Sequence, residues 1–346
     1  MSARNAPAEL PVLAPRETVA LYGHREAEIS LLDAYRSGRI PHAWLLGGPA
    51  GIGKATLAYR MARFVFANPD PAAREVQQAQ SLAIDAQHPV ARHVAAGSYG
   101  GLLVLERTLN EKGVLRTTVS ADEARGSVSF FGSTSSAGGW RICVVDTVED
   151  LNAQSSNALL KILEEPPPRA LLFLVSNAPG RVLPTLQSRC RKLPLRSLAA
   201  ADVMSAAATA GDLAIDDPAL IAAASAAEGS VAQVLTLMGG KALGLHQRTV
   251  ALLAALPNVD PAALHALGDA MSDSDRGVLG AFVDAVNHWL TERLKIQDAN
   301  ANLPQLARVS EVWDKVGRAA RDAEIYNLER KPLVFSVFGL LAEVAR

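Results

Sequence analysis

Four short, unbroken apolar runs mark the first half of the chain. They cover residues 43–46, 102–105, 142–145 and 171–175. Runs without alternating polar residues are typical of strands buried on both faces of a parallel sheet. Stretches with helical spacing lie between them at 54–66 and 152–163, and three prolines from Pro166 end the second. Residues 126–139, rich in Ser, Gly and Thr, predict a helix end followed by a surface loop. The alternation predicts an α/β domain with helices on both faces of a parallel sheet.

The pattern changes after residue 195, where Ala-rich helical segments replace the strand-like runs. Residues 200–237 predict three short helices, and longer amphipathic helices follow at 277–295 and 334–344. The predicted breaks and turns fall at Gly211, 216–218, 228–230, Pro257 and Pro304. We therefore predict an α/β domain, a small helical domain and a helical bundle, at 1–195, 196–240 and 241–346.

Size and charge exclude several classes of protein. The 346 residues exceed what a single core usually supports, and a net charge of -1 excludes a uniformly basic surface for nucleic acid. Any contact with DNA must therefore come from a local patch. The two cysteines, Cys143 and Cys190, exclude a zinc ribbon or a disulfide framework. Residues 1–21 lack the apolar core of a signal peptide, and no apolar run is long enough to span a membrane. We expect a soluble, cytoplasmic protein.

A glycine-rich loop with its lysine follows the first predicted strand and opens the first long helix. The motif residues are Gly48, Gly51, Gly53 and Lys54. In a P-loop, backbone N–H groups hold phosphate oxygens and the lysine reaches the β- and γ-phosphates. The next position, which normally carries a Mg²⁺-binding hydroxyl, is Ala55, and Thr56 lies one residue further round the helix. Two interpretations stand: a nucleotide site that takes ATP or ADP, or a glycine-rich turn without a ligand.

An acidic residue ends the third apolar run. Asp146 matches a Walker-B aspartate, which helps to hold Mg²⁺. The following position, usually a carboxylate that activates water, is Thr147, and neither Glu149 nor Asp150 matches it. Asp146 alone could simply cap a turn; together with the P-loop it becomes a candidate site residue.

Three further segments carry a resemblance to a known family. They are 157–167 (NALLKILEEPP), Ser176-Asn177 and Ser188-Arg189-Cys190. In order and pattern they closely resemble the AAA+ subunits of bacterial DNA polymerase III clamp loaders, and residues 40–46 belong to the same match. The matching motifs cover about residues 20–195. The resemblance implies an AAA+ P-loop domain, a helical lid and a helical collar that carries oligomerisation, with Asn177 at the nucleotide site.

The resemblance also implies a role for Arg189. It would be presented on the surface as an arginine finger that enters a neighbouring subunit's ATP site. The alternative is that Arg189 is part of a solvated basic run with Arg191, Lys192 and Arg196. The implied partners are the gamma/tau and delta subunits, the sliding clamp, and primer-template DNA through the complex, with no membrane.

This chain departs from the family pattern at three positions, and these departures indicate which kind of subunit it resembles. Ala55, Thr147 and Ala232 replace the Mg²⁺ hydroxyl, the catalytic carboxylate and a nucleotide-sensing arginine of the lid. They favour a subunit that completes the ring without hydrolysing ATP. The alternative is an ATP-hydrolysing subunit of the gamma/tau type or another AAA+ ATPase. A P-loop kinase would need lid arginines, and residues 199–227 have almost none.

Relatives usually carry a four-cysteine zinc module after the P-loop helix. Residues 68–96 occupy that place without a cysteine, so the resemblance together with the sequence predicts no bound zinc and a structural role for His88.

Overall fold

The computed structural model describes residues 12–108, 116, 118–119, 121–132, 139–271, 276–298, 303–326 and 328–345. These residues divide into two compact units, and the boundary lies between Ala232 and Gln233.

The first unit is built on a parallel sheet. Its strands are β1 (Ala43–Gly47), β2 (Leu102–Glu106), β3 (Arg141–Asp146), β4 (Ala170–Ser176) and β5 (Arg191–Pro194). In the described part of the chain they pair in the order β2-β3-β4-β1-β5, and each pairing is parallel. The central strands β1 and β4 are buried along their whole length, as their unbroken apolar sequences predict.

Seven helices among the described residues accompany the sheet. They are α1 (Arg25–Arg36), α2 (Lys54–Ala67), α3 (Arg74–Gln78), α4 (Pro89–Ala95), α5 (Ala121–Gly132), α6 (Ala153–Glu164) and α7 (Pro184–Gln187). Alternate residues of each strand enter two separate cores, as the two-residue period of a strand requires. Trp44 and Phe173 pack with α1 to α4 on one face, whereas Leu45 and Leu172 pack with α5 to α7 on the other. The predicted sheet with helices on both faces is confirmed.

A buried charged pair holds α1 to its neighbours. Glu28 of α1 accepts hydrogen bonds from Arg60 of α2 at 2.7 Å and from the Leu82 N–H at 2.9 Å. Burial opposes ionisation of this carboxyl, but the Arg60 and Leu82 hydrogen bonds outweigh it, so the pKa of Glu28 is lowered. Because Leu82 lies beyond α3, this one carboxylate joins three segments that are distant in sequence.

Arginines also fix segments that have little regular structure. Arg36 donates to the carbonyls of Val76 and Ala79, so α1 holds the chain that follows α2. Arg63 is 1% exposed and donates to the Arg16 and Thr18 carbonyls. Burial lowers the pKa of Arg63 to about 10, and these carbonyl bonds partly replace the lost hydration.

We call residues 12–23 the N-terminal strap. Besides its bonds to Arg63, the strap contacts the first helix after the sheet, α8 (Ala200–Gly211): the Leu13 N–H donates to the Ala210 carbonyl, and the Tyr22 and Thr209 hydroxyls lie 2.7 Å apart. The strap therefore connects α2 to α8, which is followed in the chain by α9 (Pro218–Ala226) and α10 (Val231–Met238).

The second unit consists of helices in its described residues. They are α11 (Ala242–Ala254), α12 (Pro261–Ala270), α13 (Arg276–Asp298), α14 (Leu303–Ile325) and α15 (Arg330–Val344). Phe282 of α13 and Phe338 of α15 lie at the centre of its apolar core, with ring centroids 6.4 Å apart. Asp260 caps the start of α12 by accepting from the Ala262 and Ala263 N–H groups.

Most of the predicted elements are present. The four strands and the helices at 54–66, 152–163, 200–237, 277–295 and 334–344 agree with the structure within a few residues. At 126–139, α5 ends at Gly132 and residues 133–138 lie outside the described residues. The sequence analysis made no prediction for β5 or for the helices α1, α3, α4 and α7. The domain limits at 195 and 240, and the absence of zinc, stay predictions. No described helix is both long and apolar enough to cross a bilayer.

We predict that Glu28→Ala lowers the free energy of unfolding by about 3 kcal/mol, because it leaves Arg60 buried without its charge partner. Urea denaturation of the full chain measures the loss. Glu26→Ala, at an exposed position in the same first turn of α1, is the matched control and should cost less than about 1 kcal/mol. Equal losses in the two variants would contradict a special role for the buried carboxylate.

Candidate functional site

The site residues meet at one edge of the sheet. Gly47 of β1 is in register with Ser176 of β4, and Asp146 of β3 is in register with Val175. Glu106 of β2 is in register with Asp146. All four strands therefore bring their carboxyl ends to the same edge, which is where ligands bind in open α/β sheets.

The glycine-rich loop has the backbone of a P-loop. It connects the end of β1 to α2, and Gly51 and Gly53 have positive φ angles of 73° and 96°. A side chain is disfavoured at these angles, which explains glycine at both positions. His24 supports the loop from outside, because its Nε2 donates to the Ile52 carbonyl at 2.7 Å, and burial lowers the pKa of this histidine. The loop leads directly into the N-terminus of α2, so the loop and the first N–H groups of the helix could together hold an anion.

Lys54 bonds to its own loop. It is 3% exposed, and its ammonium donates to the Gly48 carbonyl at 2.9 Å and to the Pro49 carbonyl. Burial lowers the pKa of Lys54 to about 8, although Asp146 and Glu149 favour the charged form. The cation is therefore held among the acceptors of the folded chain itself.

The loop also bonds directly to α10. The Gly51 carbonyl accepts from the Val231 N–H at 2.9 Å and from the Ala232 N–H at 3.3 Å, and these are the first residues of that helix. A Cβ at Gly51 would lie 2.2 Å from the Ser230 hydroxyl and 2.7 Å from the Ala232 Cβ. Glycine is therefore required at position 51 both by its φ angle and by the close approach of α10. This contact sets Ala232, which the sequence analysis compared with a sensing arginine, directly beside the loop.

Asp146 and Ala55 are at their expected places, at the end of β3 and in the first turn of α2, but Ala55 and Thr147 lack two of the groups that hydrolysis needs. Burial raises the pKa of Asp146, and Glu106 adds to the effect while Lys54 opposes it. Ala55 is buried in the first turn of α2 and has no hydroxyl for Mg²⁺. Thr56 is half-buried one position further round the same turn. The Thr147 hydroxyl donates to Asp150 at 3.0 Å and offers no base for activating water.

Glu149 takes a structural position beside β4. Its Oε1 accepts from the Ser176 hydroxyl and, at 2.8 Å, from the Ala178 N–H. The carboxylate therefore orders the chain around Asn177, which is exposed directly after β4. The sequence analysis dismissed Glu149 because of its spacing from Asp146, and the structure assigns it a bracing role at the same edge of the sheet.

Arg189 lies outside this edge, in the short connection between α7 and β5. Its side chain is 36% exposed, and its Nη2 forms an ion pair with Glu164 Oε1 at 2.8 Å. Its Nη1 donates to the Thr185 carbonyl at 3.0 Å. Arg191, two residues on, places its guanidinium 5.4 Å from the centroid of the Trp44 ring. Arg189 and Arg191 are thus in different environments, although both are exposed and both belong to the same basic run.

The part of the chain that holds this site matches a known protein family. The family model described as DNA polymerase III, delta subunit, matches residues 23–199, which hold the whole sheet and the candidate site. The chain belongs to this family. The predicted resemblance to DNA polymerase III subunits is therefore confirmed, and the predicted parallel α/β sheet followed by helices is present in the described residues.

Individual relatives agree with the assignment to the DNA polymerase III family. The delta' subunit of Pseudomonas aeruginosa is 36% identical over 149 residues, which are 43% of this chain and 41% of that protein. The Escherichia coli delta' subunit is 30% identical over 161 residues, 46% of this chain and 44% of that protein. The gamma/tau subunit of Mycobacterium tuberculosis H37Rv is 26% identical over 324 residues, 91% of this chain and 53% of that protein. The chain spans about half the length, or less, of these relatives.

The sequence analysis assigned no role to four residues that contact the candidate residues or their surroundings. Glu106 and Glu149 lie at the sheet edge, His24 bonds to the loop there, and Glu164 pairs with Arg189, through contacts that no local motif encodes. The position of Glu106 at the end of an apolar run, in the pattern that identified Asp146, is the one signal that would have revealed it.

We predict that the contribution of Lys54 to stability rises with pH. Between about pH 8 and the ordinary lysine pKa of about 10.5, the unfolded chain holds a proton on Lys54 that the folded chain has released, so stability rises with pH in that window. Urea denaturation of the wild type and of Lys54→Met, at about pH 7 and about pH 9.5, should show a difference that moves in favour of the wild type at the higher pH.

The control is Lys161→Met, which removes an ammonium at an exposed position of α6 rather than a buried one. A pH-independent difference for Lys54→Met would show that the ammonium is not buried as described.

Proposed function

We propose that this chain is a delta'-type subunit of the DNA polymerase III clamp loader. In this role it completes the ring of AAA+ subunits, lends Arg189 to a neighbour's ATP site and helps to load the sliding clamp onto primed DNA in the cytoplasm. Its partners are the gamma/tau and delta subunits, and the helices of the second unit form the collar through which the ring assembles. It meets primer-template DNA as part of that complex.

The proposal rests on a contrast between the chain's own P-loop site and Arg189. The P-loop backbone is intact, yet the groups that perform hydrolysis are missing at Ala55 and Thr147, while Arg189 remains on the surface with a guanidinium that can contact another molecule. A subunit that contributes to hydrolysis only in trans needs this combination.

The chain's own P-loop has only some of the groups that a bound nucleotide needs. Gly48, Gly51, Gly53 and Lys54 could hold phosphate oxygens through the loop and the start of α2. Phosphate binding there requires the Lys54 ammonium to exchange the Gly48 and Pro49 carbonyls for phosphate oxygens. Asp146 and Asn177 stand at the edge of the same space, but Ala55 supplies no hydroxyl for Mg²⁺. We infer that any ATP or ADP bound here is held without being hydrolysed.

A second candidate is an ATP-hydrolysing subunit of the gamma/tau type. The similarity to the Mycobacterium tuberculosis gamma/tau subunit extends over 91% of this chain and supports it. Thr147 and Ala232 argue against it, because neither supplies the charged group that hydrolysis or nucleotide sensing uses.

We predict that the isolated protein hydrolyses ATP no faster than a buffer control, because both the Mg²⁺ hydroxyl and the general base are missing. Phosphate release at saturating Mg-ATP measures the rate, and Lys54→Met should leave it unchanged. Turnover that Lys54→Met abolishes would favour the gamma/tau-type alternative.

We predict that Arg189→Ala, in a reconstituted clamp loader, leaves assembly intact but slows ATP hydrolysis at the neighbouring site by roughly 10³-fold, as loss of an arginine finger does in other systems. In the steady state this removes that site's share of clamp-dependent ATP hydrolysis and lowers clamp loading. Arg189→Lys should not restore activity, because an ammonium lacks the planar fork that grips phosphate oxygens.

Arg191→Ala is the matched control, since it removes a neighbouring exposed guanidinium that lies against Trp44 of its own chain. Equal effects of the two alanine variants, or full loading by Arg189→Ala, would leave this chain as a structural member of the ring.

A further inference from the structure

Arg189 does not stand free on the surface of this chain. Its Nη2 lies 2.8 Å from Glu164 Oε1, and its Nη1 donates to the Thr185 carbonyl at 3.0 Å. These two nitrogens form the fork with which a guanidinium grips a carboxylate or a phosphate. In the chain by itself, the phosphate-binding side of Arg189 is already engaged.

The two acceptors differ in how they can release the arginine. Thr185, the second residue of α7, contributes a neutral backbone carbonyl. Glu164 contributes a full negative charge from the last residue of α6, on a side chain that is 51% exposed and therefore free to turn away. A phosphate and a carboxylate compete for the same donors, so an incoming triphosphate must displace Glu164 before it can use Nη2.

We propose that Glu164 is a positioning residue that restrains Arg189, holding the guanidinium against its own subunit until a neighbour's bound nucleoside triphosphate competes it away. This inference rests on the proposed trans role of Arg189. An exposed ion pair contributes little, so the restraint is weak and reversible. It suppresses hydrolysis in a loosely assembled ring, in which the neighbouring phosphate is not yet close enough to compete.

The chain supplies a matched control beside the proposed restraint. Glu165 follows Glu164 directly, carries the same charge and is also exposed, but it is Glu164 that pairs with Arg189. Substitution of either residue by glutamine removes one negative charge from the same turn. Only Glu164→Gln removes the competitor of the phosphate.

The experiment measures ATP hydrolysis by the reconstituted clamp loader without clamp or DNA. We expect Glu164→Gln to raise this basal rate by about two- to fivefold, the range that an exposed ion pair allows. Glu165→Gln should leave the rate unchanged, and Glu164→Asp, which keeps a carboxylate, should restore most of the restraint. Thermal unfolding of each variant verifies that the chain is folded.

A double variant separates the two proposals. In the Arg189→Ala background, Glu164→Gln should have no effect, because there is no guanidinium left to release. An increase that persists in that background, or equal rates for the Glu164→Gln and Glu165→Gln loaders, would overturn the restraint. If Arg189→Ala by itself leaves clamp-dependent hydrolysis unchanged, the trans role fails, and that result is distinct from a failure of Glu164 alone.

Discussion

The parallel register of the central strands is the constraint on which the rest of the first unit depends. Pairing Gly47 with Ser176, and Asp146 with Val175, puts the end of β1 beside the ends of β3 and β4. The glycine-rich loop, the acidic residues and the turn after β4 meet only because these three strands end together. A slip of one residue would turn every buried side chain of a strand to the opposite face, so the two cores fix the register and, through it, the site.

Elements with a strong local signal could be predicted from the sequence. Strands β1 to β4 have unbroken apolar runs, although β2 lies at a sheet edge and is only partly buried. The P-loop was recognised because strand, loop and helix stand in the required order. Strand β5 lacks such a signal, because Arg191 and Lys192 lie at an exposed sheet edge and only Leu193 is buried. Helices α3 and α4 are too short for a periodic pattern, and bonds from distant residues such as Arg36 hold this segment in place. The partners of Glu149 and Glu164 are likewise tertiary contacts that no spacing rule predicts.

Charged side chains of the first unit differ in whether their partners lie inside the fold or at its surface. At the sheet edge they are satisfied internally: Lys54 bonds to carbonyls of its own loop, and Glu149 bonds to Ser176 and the Ala178 N–H. These groups stabilise the P-loop backbone even where it lacks the chemistry of an ATPase, which gives a reason for a P-loop fold to persist in the proposed role. Arg189 is different, because its partner is an exposed carboxylate that solvent or another anion can replace. The chain thus combines internally bonded charges at the sheet edge with an exchangeable ion pair at Arg189.

The N-terminal strap has a consequence for the order in which this chain acquires its structure during synthesis. Residues 12–23 are synthesised before their partners, because the arginine that holds Arg16 lies 47 residues later and the hydroxyl that meets Tyr22 lies 187 residues later. Contacts so distant in sequence form slowly, since the loop between them must close first. Until α8 has been translated, Tyr22 and the Leu13 N–H lack their partners, the Thr209 hydroxyl and the Ala210 carbonyl. The strap is therefore synthesised before the helix that completes its contacts, and it is among the last segments of the first unit to reach its final place.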